Sequence, residues 1–440
     1  MRDWFEALAA AVCVTVPALD RVSLSLEAEE SDFLRFNHAK LRQGGQVQQR
    51  HGTVTVVAGR RRASATCTLT GDLAADTARL RAERDQLASE LPLVPEDPFL
   101  LLPDVVQSTS HEAAGTLASA EEVVATIATE GAGADLVGFY AGGPVRRAYA
   151  DSRGQRNWHA VGNFHFEWCL YREGDLAVKS TYAGMHWETA ELARRMGEAR
   201  AQLELLARPR KTLAPGRYRV LFSPVAVADL LGTLGWGGFG ERGVRTGVST
   251  LVRLQRGEEL FAPSVRITEA RAAAGVPAFQ SDGFVNPAEI VLVDQGRAAG
   301  TLVSPRSASE YGLAASNSGD RESPEALALA PGALPAVDAL KALGTGVYLS
   351  DLHYLNYSDR QACRVTGMTR FACMWVEDGR PVAPIAVMRF DDSLLRMFGS
   401  GLVALTDRVE FQADNATYGA RQLRGTSAPG AIVDDFAFTL

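Results

Sequence analysis

Several things are missing from this 440-residue sequence, and each absence removes a class of function. No run of about 18 consecutive apolar residues occurs, so no segment reads as a membrane-spanning helix. At the N-terminus, Asp3 and Glu6 interrupt MRDWFEALAAAVCVTVPALD, so it does not read as a secretory leader. Positive charge is not in excess. With 45 Lys and Arg against 52 Asp and Glu, the formal net charge is −7, which disfavours phosphate backbones and makes nucleic acid an unsuitable partner. The five cysteines, Cys13, Cys67, Cys169, Cys363 and Cys373, are odd in number and show no CxxC spacing. That pattern is neither a disulfide framework nor a zinc ribbon, and it suits reduced thiols in the cytoplasm.

What is present is ordinary globular material. A hydrophobic share of 46% and a charged share of 22% leave little room for disorder, and the length implies two or three structural units. Residues 1–14 carry apolar Trp4, Phe5, Leu8 and Val12 on one helical face. The period then changes to two over Arg21–Asn37 and Gln46–Thr70, as in antiparallel strands with one wet face, with Arg60, Arg61 and Arg62 marking a solvated turn. A helix over Asp72–Glu90, with Asp72 or Asp76 as its N-cap, runs into a proline-containing break near 92–104. Beyond it lie a helix at Glu121–Glu130, strands at Leu136–Ala141, Trp158–Tyr171 and Asp175–Tyr182, and an amphipathic helix at Thr189–Ala207. Residues 1–212 therefore read as an N-terminal α+β domain with an antiparallel sheet.

After the basic, proline-containing stretch at 208–216 the texture changes. Short alternating runs at 218–223, 289–303, 346–355 and 370–377, with one helix at Pro224–Leu234, describe a β-rich C-terminal domain over 213–440, its strands mainly antiparallel. Val376–Gly379 (VEDG) places Asp378-Gly379 between apolar runs, a hairpin signal. Met368, Met374, Met388 and Met397 share no helical face and read as core filling.

No self-sufficient catalytic constellation emerges. His111-Glu112 opens a possible zinc helix, but Gly115 and Thr116 stand where the second histidine is required, so the segment reads as a loop or helix start. His159, His165, Glu167 and Cys169 are an even number apart on one strand, with His186 beyond; they are candidate zinc ligands, and equally the polar face of a sheet covered on its aromatic side. Cys363 and Cys373 are candidate nucleophiles with His353, the one histidine of the second half, though no GxSxG elbow or cysteine-protease signature accompanies them. The glycine run 232–247 follows a helix and lacks the Lys-Ser/Thr pair of a phosphate loop, so it reads as irregular backbone near a pocket.

Four blocks in a fixed order carry a resemblance: FSPVAVADLLGTL (222–234), VPAFQSDGFVNPAEIVLVDQGRAAGTLVSPRSASEYGLAASNSG (276–319), GTGVYLSDLHYLNYSDRQACRVTGMTRFACMWVEDGRPVAPI (344–385) and RGTSAPGAIVDDFAF (424–438). With RFNHAKLRQGG (35–45) and ADSRGQRNWHAVGNFHFEW (150–168), the chain resembles the TldD/PmbA (TldE) peptidase family over nearly its whole length. That resemblance implies an HExxxH zinc helix and a C-terminal cysteine in TldD-type subunits, and neither in TldE/PmbA-type subunits. Here Gly235–Gly247 contains no histidine, Glu241 alone remains as a ligand, and the tail carries no cysteine beyond Cys373. The resemblance therefore implies a TldE/PmbA-type subunit with no metal or cofactor of its own. It would bind unfolded peptide for proteolysis at the zinc of a TldD-type partner, as a heterodimer. A homodimeric peptide-binding protein and an independent thiol or metal hydrolase are the alternatives. The expected substrate-binding residues are Ser281, Asp282 and Gly283, then Tyr311, Asn317 and Ser318, then Thr366, Gly367 and Arg370.

Overall fold

A computed structural model describes residues 1–440. The long alternating runs become one twisted sheet. Its strands are β1 (Arg21–Asn37), β2 (Lys40–Ala58), β3 (Arg61–Thr68), β4 (Thr109–Ala113), β5 (Asp135–Asp151), β6 (Arg156–Tyr171) and β7 (Ala177–Gly184), in the order β3-β2-β1-β5-β6-β4. β7 shares with β4 the outer edge of β6, antiparallel at Phe164–Tyr171, while β4 runs parallel at Asn157–Val161. His111-Glu112 thus lies on an edge strand, not in a loop or at a helix start.

One face of this sheet is apolar because every second residue is. Leu24, Leu26, Leu34 and Phe36 on β1 and Trp158, Phe164, Phe166, Trp168 and Leu170 on β6 are all buried. Helices α1 (Arg2–Val12) and α2 (Leu73–Glu90) close one end of it through Phe5, Leu8, Val12 and Leu80. Helices α3 (Ala120–Glu130) and α4 (Thr189–Leu205) close the other with Val123, Ile127, Leu192 and Met196. Asp72 caps α2 by accepting from the Ala75 amide at 2.8 Å. Asp76 is instead buried, accepting from the Thr70 and Gly71 amides.

β5 is much longer than the Leu136–Ala141 strand the sequence suggests, because it continues through Gly142-Gly143-Pro144. Gly143 makes this possible: its φ is +140°, and a Cβ there would lie 2.1 Å from the Glu30 carbonyl oxygen. Pro144 lacks an N–H, and the β1–β5 ladder skips Gly143 and Pro144 without changing register.

The second sheet is larger and mixed. Its strands are β8 (Gly216–Phe222), β9 (Ile267–Glu269), β10 (Ile290–Asp294), β11 (Arg297–Ala298), β12 (Ala326–Leu329), β13 (Gly346–Leu349), β14 (Asp351–Asp359), β15 (Arg364–Arg370), β16 (Met374–Glu377), β17 (Arg380–Pro384), β18 (Arg389–Ser393), β19 (Leu402–Ala413) and β20 (Gly425–Phe438). Only β8–β13 and β12–β20 are parallel; the other pairings are antiparallel. Two of the runs read from sequence as single strands, 289–303 and 346–355, are each divided in two. The Asp378-Gly379 hairpin forms as the sequence suggests, with φ of +47° and +74° at its two central residues. β20 is the organising strand, pairing with β8, β12, β18 and β19. Helix α5 (Pro224–Gly235), capped by Ser223 with Pro224 in its first turn, packs across β20 and β14 over a core of Phe222, Leu231, Phe390 and Phe436. Met374, Met388 and Met397 are buried.

Most of the polar face of the first sheet is not wet. The second half of the chain covers it over β1, β5 and β6, where Ser23, Glu29, Ser31, Asp151, Asn157, His159 and His165 are buried, whereas residues 40–48 of β2 stay exposed. Arg421, at 2% exposure, enters this face, where its guanidinium donates to the carbonyl oxygens of Gly143 at 3.0 Å and Asn163 at 2.7 Å. Gln155 donates to the Gly283 carbonyl at 2.7 Å, and Asn415 to Glu167 at 3.0 Å.

Candidate functional site

Two polar patches lie where the halves face each other. The first is a cleft of about 290 Å³ between β1 and β5 on one side and the loops at 276–286 and 319–325 on the other. Arg62, Arg147 and Arg424 line it together with the carboxylates of Glu27, Asp282, Asp320 and Glu325. Arg62 is therefore not part of a solvated turn: the β2–β3 connection delivers it to the cleft, while Arg61 is bound to Val94 and Glu96. Burial raises the Asp282 carboxyl, an effect opposed by Arg62. Its Oδ1 and the Oε1 of the buried Gln280 have no hydrogen-bond partner.

The second patch is assembled from four elements. On β6 and β7, Glu167 and Lys179 form a 2.7 Å ion pair. Across from them, α5 presents Asp229 and β14 presents Asp351. Along α5 the residues Asp229, Gly232 and Trp236 are exposed at helical spacing, a stripe left uncovered by the second core. Asp351 is only 6% exposed. Burial pushes its carboxyl up to about 7, an effect that Lys179 opposes. β14 pairs only with β15 and is an edge strand, broken by a register shift between His353 and Asn356 where Tyr354 has φ +52°.

The residues singled out in the sequence are dispersed over this frame. Ser281 and Asp282 line the first cleft, and Gly283 (φ +94°) packs on Tyr149, where a Cβ would come within 2.6 Å of the ring. Asn317 is a loop staple, accepting from the Val303 amide at 2.8 Å, and Ser318 is buried behind it. Tyr311 lies under the Arg245 guanidinium. Thr366 and Gly367 are interior to β15, with Thr366 donating to the Phe390 carbonyl and Gly367 under the Phe390 ring. Arg370, at the end of that strand, covers Phe371.

His159, His165, Glu167 and Cys169 do share one face, but their polar atoms are committed separately. His159 Nε2 lies 3.0 Å from the Gly275 carbonyl. His165 is buried with Nε2 unpartnered, Glu167 holds Lys179, and His186 contacts Thr116. Burial lowers both His159 and His165 to about 4. No three His, Cys, Asp or Glu side chains come together in a way that could hold a metal ion. Glu241 is taken up by Arg245 at 2.6 Å and Thr301 at 2.5 Å. The glycine run around it is close-packed: a Cβ on Gly238 would lie 2.3 Å from the Leu234 carbonyl.

The thiol candidates fare no better as a dyad. Cys363 is buried in the turn that joins β14 to β15, at the far end of that hairpin from the exposed His353. Burial raises its thiol to about 12, and that of Cys373, packed beside Ser350, to about 11. No hydrogen bond joins His353 to either.

Sequence reasoning missed Lys179, Asp229, Asp351, Arg421 and the cleft arginines. Asp229 and Asp351 did leave a signal, each being the lone charge in an apolar run, VAVADLLG and VYLSDLHYL.

A largely antiparallel first sheet and a mixed second one thus meet along a polar seam. Residues 215–440 match the family described as PmbA/TldA metallopeptidase C-terminal domain. This is just over half of the chain, and the chain belongs to the TldD/PmbA family. No curated protein matches it. Among solved structures it is similar to TldE from Thermococcus kodakarensis, with 11% identity over 96% of this chain and 97% of that one and a TM-score of 0.77. It is also similar to a candidate modulator of DNA gyrase from Thermotoga maritima, with 14% identity over 100% of both chains and a TM-score of 0.78. A candidate gyrase modulator from Bacteroides thetaiotaomicron gives 12% identity over 100% of this chain and 97% of that one, with a TM-score of 0.74. At these identities the likeness establishes the fold. No helix is long and apolar enough to cross a membrane.

Proposed function

We propose that this chain is the TldE/PmbA-type member of a two-subunit metallopeptidase, binding unfolded peptide for cleavage at a zinc held by a TldD-type partner. Family membership supports the reaction class. One observation carries the division of labour: the histidines, thiols and carboxylates of this chain do not form a group able to hold a metal ion. The unpaired edge of β14 supplies the kind of surface along which an extended backbone makes main-chain hydrogen bonds, and the exposed stripe of α5 offers side chains next to it.

The test is co-expression with a TldD-type protein, followed by zinc analysis and hydrolysis of an unfolded peptide by each chain alone and by the pair. The expected result is co-purification, one zinc equivalent and hydrolysis in the pair, and neither zinc nor hydrolysis in this chain alone. One zinc equivalent and activity in the isolated chain, both lost on His159→Ala or His165→Ala, would overturn the proposal.

A further inference from the structure

The first cleft, of about 290 Å³, holds polar groups that the fold leaves unused. Gln280 is 8% exposed, and its Nε2 donates to the Asn286 side chain at 2.7 Å, so its Oε1 is buried with no donor. Asp282 Oδ1 in the same wall has none either. Burial is the largest influence on the Asp282 carboxyl; Arg62 and the amides of Asp282 and Phe284 act against it, and Asp320 acts with it. Buried acceptors without donors are costly, and two in one wall call for donors from outside the chain. Opposite charge is present but held apart. The Arg62 guanidinium lines the cleft and enters no ion pair or hydrogen bond. Arg147 is fixed opposite Glu27 by the β1–β5 ladder, with its Nε 4.0 Å from that carboxylate and its Nη1 donating to the Arg146 carbonyl. Gly283 rests on the Tyr149 ring, and Arg147 is the neighbouring residue on the same face of β5, so the arginine stands next to the loop that carries the unmet acceptors.

We infer that this cleft binds a small zwitterion, an amino acid or dipeptide, whose ammonium meets Gln280 and Asp282 and whose carboxylate meets Arg62 and Arg147. An ammonium carries three donors and no acceptor, which suits two acceptors without donors. A guanidinium free of other partners is the matching group for a carboxylate. Charge balance selects a zwitterion over an anion or a cation. The lining has three arginines and four carboxylates, so a phosphate or a polyamine would each meet several like charges. A metal ion is excluded as the complement, because no three ligating side chains converge. The volume is at the lower end for small-molecule sites, enough for one or two residues and too little for a longer peptide. Val276, Pro277 and Phe279 supply an apolar wall for short side chains. This site goes beyond the proposed function, which needs neither the cleft nor a small ligand.

Calorimetric titration of the full chain at pH 7.5 tests it with four probes: alanine, alanyl-alanine, N-acetyl-alanyl-alanine and alanyl-alanine amide. The better of the two zwitterions is expected to bind at least about tenfold more tightly than either blocked dipeptide. Tighter binding of alanine identifies a free amino acid as the ligand, and tighter binding of alanyl-alanine a dipeptide. The variants should act crosswise. Asp282→Asn should abolish the preference over the acetylated probe and keep that over the amide, whereas Arg62→Gln and Arg147→Gln should do the reverse. Damage to the fold would weaken all probes together and would not separate the two ends. Equal binding of free and blocked probes, no binding of either zwitterion up to millimolar concentration, or both preferences unchanged in all three folded variants would overturn the site. Neither zinc nor a partner subunit enters these titrations, so failure here is distinct from failure to co-purify.

Discussion

Arg421 and Asn163 are 258 positions apart in sequence, and the guanidinium of the first donates to the carbonyl oxygen of the second at 2.7 Å. The same guanidinium also meets the Asn163 side chain, Ser31 and the Gly143 carbonyl, while the Arg421 amide donates to Glu29. Removing this charge takes away a cation whose field acts on Glu29, which is 3% exposed. Arg421→Met is expected to cost about 3–5 kcal/mol, read as a lower urea midpoint. Arg421→Lys should recover little, since one ammonium cannot reproduce the planar fork. Retention of the parental midpoint in either variant would refute the role.

Acid should weaken the protein through two histidines. Burial holds His159 and His165 at about 4, below the value of about 6.5 they take in the unfolded chain. Between those values the unfolded chain binds more protons than the native protein, so stability is lost as pH falls from about 6.5 towards 4. His165→Gln should flatten that loss by about 1–3 kcal/mol, measured as the difference in unfolding free energy between pH 7 and pH 4.5.

Asp351 works in the opposite direction. Its carboxyl is raised to about 7, so the native protein holds a proton that the unfolded chain releases near pH 4. This contribution is intact below about pH 4 and is lost as pH rises through about 7. Asp351→Asn should therefore be more stable than the parent at pH 8, by about 1–2 kcal/mol, and close to it at pH 4.5. Equal stability at pH 8 would mean that the carboxylate is better solvated than its 6% exposure implies.

Gly143→Ala should be severe. At φ +140°, with the new Cβ 2.1 Å from the Glu30 carbonyl oxygen, the backbone of a central strand must move. A loss of about 2–4 kcal/mol is expected from thermal unfolding. Gly45→Ala in β2, where a Cβ meets nothing within 4 Å, should cost under about 1 kcal/mol and serves as the control.

The first sheet was largely legible because β1, β2 and β6 alternate over long stretches, and α4 because its apolar residues recur at three- and four-residue steps. β5 was truncated because Gly-Gly-Pro ordinarily ends a strand, and only the close approach of Glu30 reveals why it does not here. The tail strands β18, β19 and β20 were not read as strands. β20 is built from small residues buried on both faces, SAPGAIV, so period-two alternation is absent. The polar face of β6 was seen as polar, but its cover could not be: Arg421, Asn415 and Gly275 lie 100 or more residues away from their partners. The same holds for Asp229 and Lys179, whose proximity depends on the docking of two sheets.

The position of β20 bears on how the chain is made. The first sheet is complete in sequence by Gly184, whereas the second needs Gly425–Phe438 to join β8, β12, β18 and β19. During synthesis the first half can fold as it leaves the ribosome, while some 200 further residues wait for their central strand. Over that interval the apolar edges of β8 and the underside of α5 are open to solvent and to other chains. A nascent chain halted before Gly425 should accordingly show a protease-resistant first half and a digestible second half, and the resistance should spread across the second half once β20 is released.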